Sequence, residues 1–205
     1  MTTLTTALER SSAPLSRSGT VTYPVPMGVS PEDSALMLRY RNGDVAAFEI
    51  LYRRHNDALY RYLLRLTLNR DVAEDLFQDV WGKIIKSRHS YRPTAGFRTF
   101  LFRVAHNSFI DHTRRTKKRL LEQEFEPERC PADGDEPDVQ AEKTFARQRL
   151  EAALRDLPDE QRDAFLLREE AGLSVDQIAK VTGVSRETAK SRLRYAVGKL
   201  KIALA

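Results

Sequence analysis

An acidic stretch broken by prolines divides this 205-residue chain. Glu122, Glu124, Glu126, Glu128, Asp133, Asp135, Glu136 and Asp138 follow one another there with three prolines, one glycine and almost no apolar side chain. Such a segment has too little apolar surface to offset the entropy of ordering it, so it reads as a linker. Residues 120–143 therefore separate a first domain over 30–119 from a second over 144–205. Residues 1–29, rich in Thr, Ser and Pro and without periodicity, read as a disordered tail.

Both domains carry the period of helices. Ser30-Pro31-Glu32-Asp33 is a helix start, with Ser as cap, Pro in the first turn and acids behind it. Ala35, Leu36, Met37 and Leu38 supply its apolar surface, and Asn42-Gly43 stops it. Asp44 can cap a second helix. Its apolar positions are Phe48, Leu51, Tyr52, Leu59, Tyr62, Leu63 and Leu66, at steps of three and four, with Arg53, Arg54, Asp57, Arg61 and Arg65 turned to water. Asn69-Arg70 ends it. Asp71 and Glu74 have the spacing of a capping box for a third helix, whose stripe is Ala73, Leu76, Phe77, Val80, Ile84 and Ile85. Off that stripe Glu74, Asp75, Gln78 and Asp79 form an acidic ridge. A loop from Ser87 to Gly96 leads to a fourth helix over Phe97 to Arg119.

In the second domain Leu150, Ala153, Leu154 and Leu157 form one stripe. Pro158 opens the next helix, which carries Phe165, Leu166 and Leu167, and Gly172 stops it. Ser174 with Gln177 is a capping box, Gly183 ends that helix, and Ser185 caps the last. The fold class is all-α: two small helical domains joined by a flexible acidic linker, the second a four-helix domain.

The last two helices have helix-turn-helix spacing. Ile178 and Ala179 lie before the turn Thr182-Gly183-Val184, and Ala189 and Leu193 after it. Arg186, Lys190, Ser191, Arg192, Arg194 and Tyr195 are then offered outward, as phosphate or base-edge contacts in a major groove. The fourth helix interleaves Phe97, Phe100, Phe102 and Phe109 with Arg98, Arg103, Arg114 and Arg115. Phe102, Phe109 and Ile110 fit a buried face with Leu101, Val104 and Ala105. Rings, cations and an amide such as Asn107 also suit single-stranded bases, which stack on rings while cations hold the backbone. A net charge of +5 is compatible with nucleic acid but weak support alone.

Three segments in this order, DVAEDLFQDVWGKII, FRTFLFRVAHNSFIDHTRR and LRDLPDEQRDAFLLREEAGLSVDQIAKVTGVSRETAKSRL, resemble a bacterial sigma factor of the extracytoplasmic-function (ECF) group. The resemblance covers about Asp33 to Leu200. It implies that Asp75, Gln78, Asp79 and Trp81 hold the β′ clamp helices of core RNA polymerase; a lone Trp on a helix flank fits the core equally well. It implies minus-ten contacts at Arg92, Phe97, Arg98, Phe100, Arg103, Asn107, Asp111, Arg114 and Arg115. Minus-thirty-five contacts fall at Arg186, Lys190, Ser191, Arg192, Arg194 and Tyr195. Further implied partners are the β flap, promoter DNA both double-stranded and melted on the non-template strand, and an anti-sigma factor. The linker would thread toward the polymerase active centre and yield to growing RNA. Two positions depart from the pattern. Phe100 stands where many relatives have Trp, and Glu187 where Gly is common. Asp75 and Asp79 are retained, which implies core binding without phosphorylation.

One cysteine, Cys130, excludes an internal disulfide framework and a Cys-rich zinc site and fits a reducing compartment. No apolar run is long enough for a bilayer, and the first residues lack the layout of a signal peptide, so no membrane insertion and a cytoplasmic location are expected. His55, His89, His106 and His112 have no i, i+4 metal pairing, and neither a phosphate-binding Gly loop nor a nucleophile elbow is present. No enzyme activity, cofactor or metal is expected. The rival reading is an ordinary helix-turn-helix regulator with a sensor domain, which would bind duplex DNA without polymerase.

Overall fold

The computed structural model describes residues 32–93, 95–122 and 141–204, with 120, 122 and 141–147 described by backbone alone. The expectations for the tail, for Ser30-Pro31 and for most of the linker lie outside the described residues. Among the described residues there are eight helices: α1 (Asp33–Arg41), α2 (Val45–Thr67), α3 (Arg70–Lys86), α4 (Phe97–Glu122), α5 (Ala141–Arg155), α6 (Asp159–Glu169), α7 (Val175–Thr182) and α8 (Arg186–Leu204).

In the first half α2 is the central helix, packed by α1, α3 and α4. Asp44 caps it as expected, accepting from the Ala47 amide at 3.2 Å. It ends on Leu68, whose φ of 54° is left-handed without being glycine. Asn69 then caps α3, accepting from the Val72 amide at 3.0 Å. The Asp71–Glu74 box is thus replaced by a cap two residues earlier. The side chain of Asn69 suits the extended backbone of a cap, and Glu74 is left to pair with Arg70 at 3.0 Å. The buried stripe also differs at its edges. Ala35 and Ile85 are exposed, whereas Tyr40, Tyr91 and Trp81 are buried.

The second half is the expected four-helix unit, with α8 packed by α5, α6 and α7. The Ser174 box is complete: Ser174 Oγ accepts from the Gln177 amide at 3.3 Å, and Gln177 Oε1 accepts from the Ser174 amide at 2.8 Å. Gly183 closes α7 in the left-handed region, and Ser185 Oγ accepts from the Thr188 amide at 3.1 Å. Ala189, Ala196 and Leu200 seat α8. The halves also pack on each other, α6 against α2 and α7 against α4. Arg61 and Arg65, expected to face water, instead pair with Glu170 of the second half.

α1 is held to α2 by a charged knot. His55 is buried and its Nε2 lies 2.7 Å from Asp33; a carboxylate only accepts, so Nε2 carries the proton. Arg54 donates to the other oxygen of Asp33 at 2.7 Å. Burial pushes the Asp33 carboxyl up, but the Arg54 hydrogen bond and the His55 charge outweigh it and leave it below its ordinary value. Burial also pulls the His55 imidazole below its ordinary value, against the attraction of Asp33. Both groups therefore bind protons more tightly when unfolded. His55 contributes stability above its unfolded pKa of about 6.5, which is lost as pH falls toward the lower folded value. The thermal midpoint should fall between pH 7.5 and 5.5, and His55→Gln should flatten that slope; an unchanged slope in a scanning calorimeter would refute the assignment.

Candidate nucleic-acid interface

Three faces collect the expected site residues. The first is the ridge on α3, where Glu74, Asp75, Gln78 and Asp79 are all exposed. Asp79 pairs with Lys83 at 2.7 Å, a contact open to water and so of small energetic weight. Beside the ridge runs a shallow groove of about 480 Å³ between α2 and α3, lined by Tyr52, Tyr60, Phe77 and Gln78 among others. Tyr52, read from the sequence as core, is 36% exposed on its rim. Trp81 sits beneath, 5% exposed, with ring neighbours Phe48, Tyr52 and Phe77 at 5.7, 4.9 and 6.5 Å. Its Nε1 is buried without a hydrogen-bond partner. Of the two readings of this Trp, the structure gives the core one: its ring supports the groove from below.

The second face belongs to α4. At about 100° per residue, positions 100, 103, 107, 111 and 114 fall on one side. Arg103, Asn107 and Arg114 are exposed there, Phe100 and Asp111 are half-buried, and Arg114 pairs with Asp111 at 3.1 Å. Ile110, expected in the core, joins this face at 47% exposure. Arg115 is exposed farther along, and Arg92 is exposed in the loop before the helix. Two expected contacts lie elsewhere. Phe97 is 1% exposed and packed on His55, Tyr91 and Phe100, so its ring is core. An aromatic at the first helical position looks alike from the sequence whether it turns in or out. Arg98 leaves the face altogether, reaching the Ala171 carbonyl with Nη1 at 3.4 Å. Phe100 leans on Tyr91, ring centroids 5.2 Å apart, which fixes its tilt.

The third face is on α8. Ser185 and the helix N-terminus begin it, and Arg186, Lys190, Arg194 and Tyr195 follow along one open arc, with Ser191 half-buried at its edge. The Arg194 guanidinium lies 5.1 Å from the Tyr195 ring, which pre-orders both. Arg186 is shared with Asp176 of α7 at 2.8 Å. Glu187 is exposed beside it. Arg192 stands at the far edge of the arc, about 60° beyond Tyr195 around the helix, and is half-buried. The arc gathers cations and a ring along a helix whose N-terminal end favours negative charge.

Sequence reasoning missed the pairs that tie α6 to the first half, Tyr62–Asp163 and Arg61/Arg65–Glu170. The one available signal was Asp163 itself, an acid on the apolar side of α6. His106, which has no i, i+4 histidine partner in the sequence, faces Asp163. Among the described residues no group of three or more His, Cys, Asp or Glu could hold a metal ion, and no helix is long and apolar enough to cross a membrane.

Residues 51–119 match the family model for Sigma-70 region 2, and residues 147–200 that for Sigma-70, region 4. The chain is 35% identical over 155 residues to the ECF RNA polymerase sigma factor SigE of Mycolicibacterium smegmatis, covering 74% of this chain and 60% of that protein. It is 30% identical to the RNA polymerase sigma factor YlaC of Bacillus subtilis, covering 76% of this chain and 90% of YlaC. The fold is similar to CnrH in complex with the cytosolic domain of CnrY, with a TM-score of 0.62 and 22% identity over 84% of this chain and 96% of that one. It is also similar to RpoE in complex with the anti-sigma factor NepR from Bartonella quintana, with a TM-score of 0.63 and 25% identity over 77% and 96%.

The separation of the core side of α4 from its open face is testable. Phe97→Ala should lower unfolding free energy by about 3 kcal/mol or more, the cost of emptying a buried aromatic site. Arg103→Ala, on the open face, should change it by less than about 0.5 kcal/mol. Chemical denaturation of the two variants measures both, and equal effects would contradict the partition.

Proposed function

We propose, for a chain that belongs to the extracytoplasmic-function sigma factors of the sigma-70 family and acts in transcription initiation, that three faces divide the work. The α3 ridge docks on the β′ clamp helices of core RNA polymerase. The open face of α4 takes the melted minus-ten strand. The arc of α8 enters the major groove at the minus-thirty-five element, with the second half resting on the β flap. The observation that carries this reading is the presence of two separate cationic faces, on α4 and α8, each exposed on a helix whose other side is locked in a core.

The chemistry follows from what each face offers. On α8 the Lys190 ammonium and Arg194 guanidinium donate to phosphate or to guanine O6 and N7, and Glu187 can accept from a cytosine amine. On α4 an unstacked base finds the edge of Phe100 and the apolar side of Ile110, while Arg103 and Arg114 hold the backbone and Asn107 offers a donor and an acceptor. No side chain here has to break or form a covalent bond; the polymerase supplies that chemistry. The ridge contributes Asp75 and Asp79 as charges and Gln78 as a neutral partner, with Tyr52 and Phe77 adding apolar area in the adjoining groove. An inhibitory partner that covers these faces is the expected control, in keeping with the complex of RpoE with the anti-sigma factor NepR, which has a similar fold.

Run-off transcription with purified bacterial core polymerase tests the whole. Specific transcripts should appear only with this protein present. Duplex binding without transcripts would favour an ordinary regulator. Asp75→Arg combined with Asp79→Arg should weaken core binding about tenfold or more, as like charges replace opposite ones across an interface. Lys190→Ala should weaken promoter binding by roughly tenfold, the weight of one good base contact, at unchanged core affinity; loss of both together would refute the separation of faces.

A further inference from the structure

Arg186 opens α8, and the acid that holds it belongs to another helix. Asp176 lies in the first turn of α7, on a helix start fixed by the Ser174–Gln177 capping box. The left-handed Gly183 and the Val184 amide, which donates to the Ala179 carbonyl at 3.2 Å, set α8 against α7. The first turns of the two helices then meet in one ion pair, with Asp176 Oδ1 2.8 Å from Arg186 Nε. Glu187 makes only a loose contact, its Oε1 3.9 Å from Arg186 Nη1. The Arg186 and Asp176 side chains are 61% and 62% exposed, so the pair stands at the surface.

An exposed pair of this kind contributes little to folding. Its place on the molecule matters more. Asp176 and Glu187 put two carboxylates at the end of the arc where the reading helix would meet a polyanion. For affinity alone both work against binding, because each repels phosphate. An unpaired arginine at the start of such a helix is drawn to the nearest phosphate, a contact that carries no sequence information. Beside Asp176 the charge of Arg186 is partly neutralised, so it gains less from a phosphate. Its rotamers are also restricted, so less ordering entropy is lost on binding. The Asp176 contact falls on Nε. The terminal nitrogens Nη1 and Nη2 form the fork that matches O6 and N7 of guanine.

We propose that Asp176 is a positioning residue for promoter choice: it holds Arg186 as the reader of one guanine in the major groove and keeps it off the phosphates, exchanging affinity for discrimination. This rests on the sigma-factor reading above, in which Arg186 already meets the upstream element. Asp176 itself touches no base. It acts through the guanidinium that it orients.

The test uses the full chain with purified bacterial core polymerase. From duplex promoter fragments randomised over the upstream element, the wild type should enrich a guanine at one position, and Arg186→Ala should lose that enrichment. Asp176→Ala should lose it too. Between fragments with and without that guanine the wild type should discriminate about tenfold, the weight of one good bidentate contact, and Asp176→Ala much less. Part of that loss should come from tighter binding of the substituted fragment. The salt dependence of binding should steepen by roughly one counterion in Asp176→Ala, as the freed guanidinium takes a phosphate. Asp176→Glu, which keeps a carboxylate within reach of Arg186, should restore discrimination. Adding Arg186→Ala to Asp176→Ala should remove no more of it. Equal weakening on both fragments would mean that Asp176 only braces the two helices, and it overturns the proposal, as does full discrimination by Asp176→Ala. A wild type that directs specific transcripts but enriches no guanine dependent on Arg186 overturns this proposal alone. One that directs no transcript fails the sigma-factor reading and this proposal with it.

Discussion

A carboxylate taken out of water must find compensation, and in this fold Asp163 finds it across the boundary between the two halves. It lies on α6, inside the second helical unit, yet its hydrogen bond comes from Tyr62 in the middle of α2, and His106 Nδ1 of α4 lies 2.9 Å from its other oxygen. Removing either partner would leave a buried negative charge short of compensation, which is far more costly than the pair is stabilising. The position of α6 on the first half is thereby specified by charge as well as by the apolar core the halves share. Arg162, beside it, is tied back to Asp159 at 2.6 Å and to the Leu154 carbonyl at 3.4 Å, so the cation next to Asp163 serves its own unit. Burial pulls that guanidinium below its ordinary value, partly offset by Asp159.

The same economy of faces governs α4. Its buried side carries Phe97, Leu101, Phe102, Ala105 and Phe109 into the first core. The side opposite presents Arg103, Asn107 and Arg114. Between them a third strip, with Arg98 and His106, meets the second half. This one helix of 26 residues therefore serves a core, an open cationic face and a neighbouring unit. This is why α4 has so little free surface for substitution, and why its aromatic count misleads about stacking: most of the rings are structural.

Much of this was legible in the sequence, because local physics decided it. The caps Asp44, Ser174 and Ser185 accept from amides three residues on, and the stop Gly183 donates to a carbonyl four residues back, so their spacing identifies them. The stripes at steps of three and four also survive, since they report one helix against one core. What was not legible depended on which way a residue at the end of a stripe turns. Phe97 and Trp81 went in, Ile110 and Tyr52 partly out, because neighbouring helices set the width of each buried face. Asn69 displaced Asp71 as a cap because α2 ended one turn short of the acid. The contacts between halves, Arg61 and Arg65 with Glu170 above all, join residues about a hundred positions apart, and no local pattern signals them. Neither halves of a salt bridge nor buried acids are distinguishable from solvated ones by spacing alone.

The joint between α2 and α3 has a consequence of its own. Leu68 holds a left-handed backbone there, which costs a non-glycine residue about 1–2 kcal/mol, while the Thr67 hydroxyl bonds both the Leu63 and Asn69 carbonyls at 2.9 Å. Glycine would remove that strain but would also widen the range of angles open to the joint. The leucine thus exchanges some stability for stiffness. The acidic ridge on α3 is carried on an elbow with one setting, so docking a rigid partner there would cost little further ordering entropy.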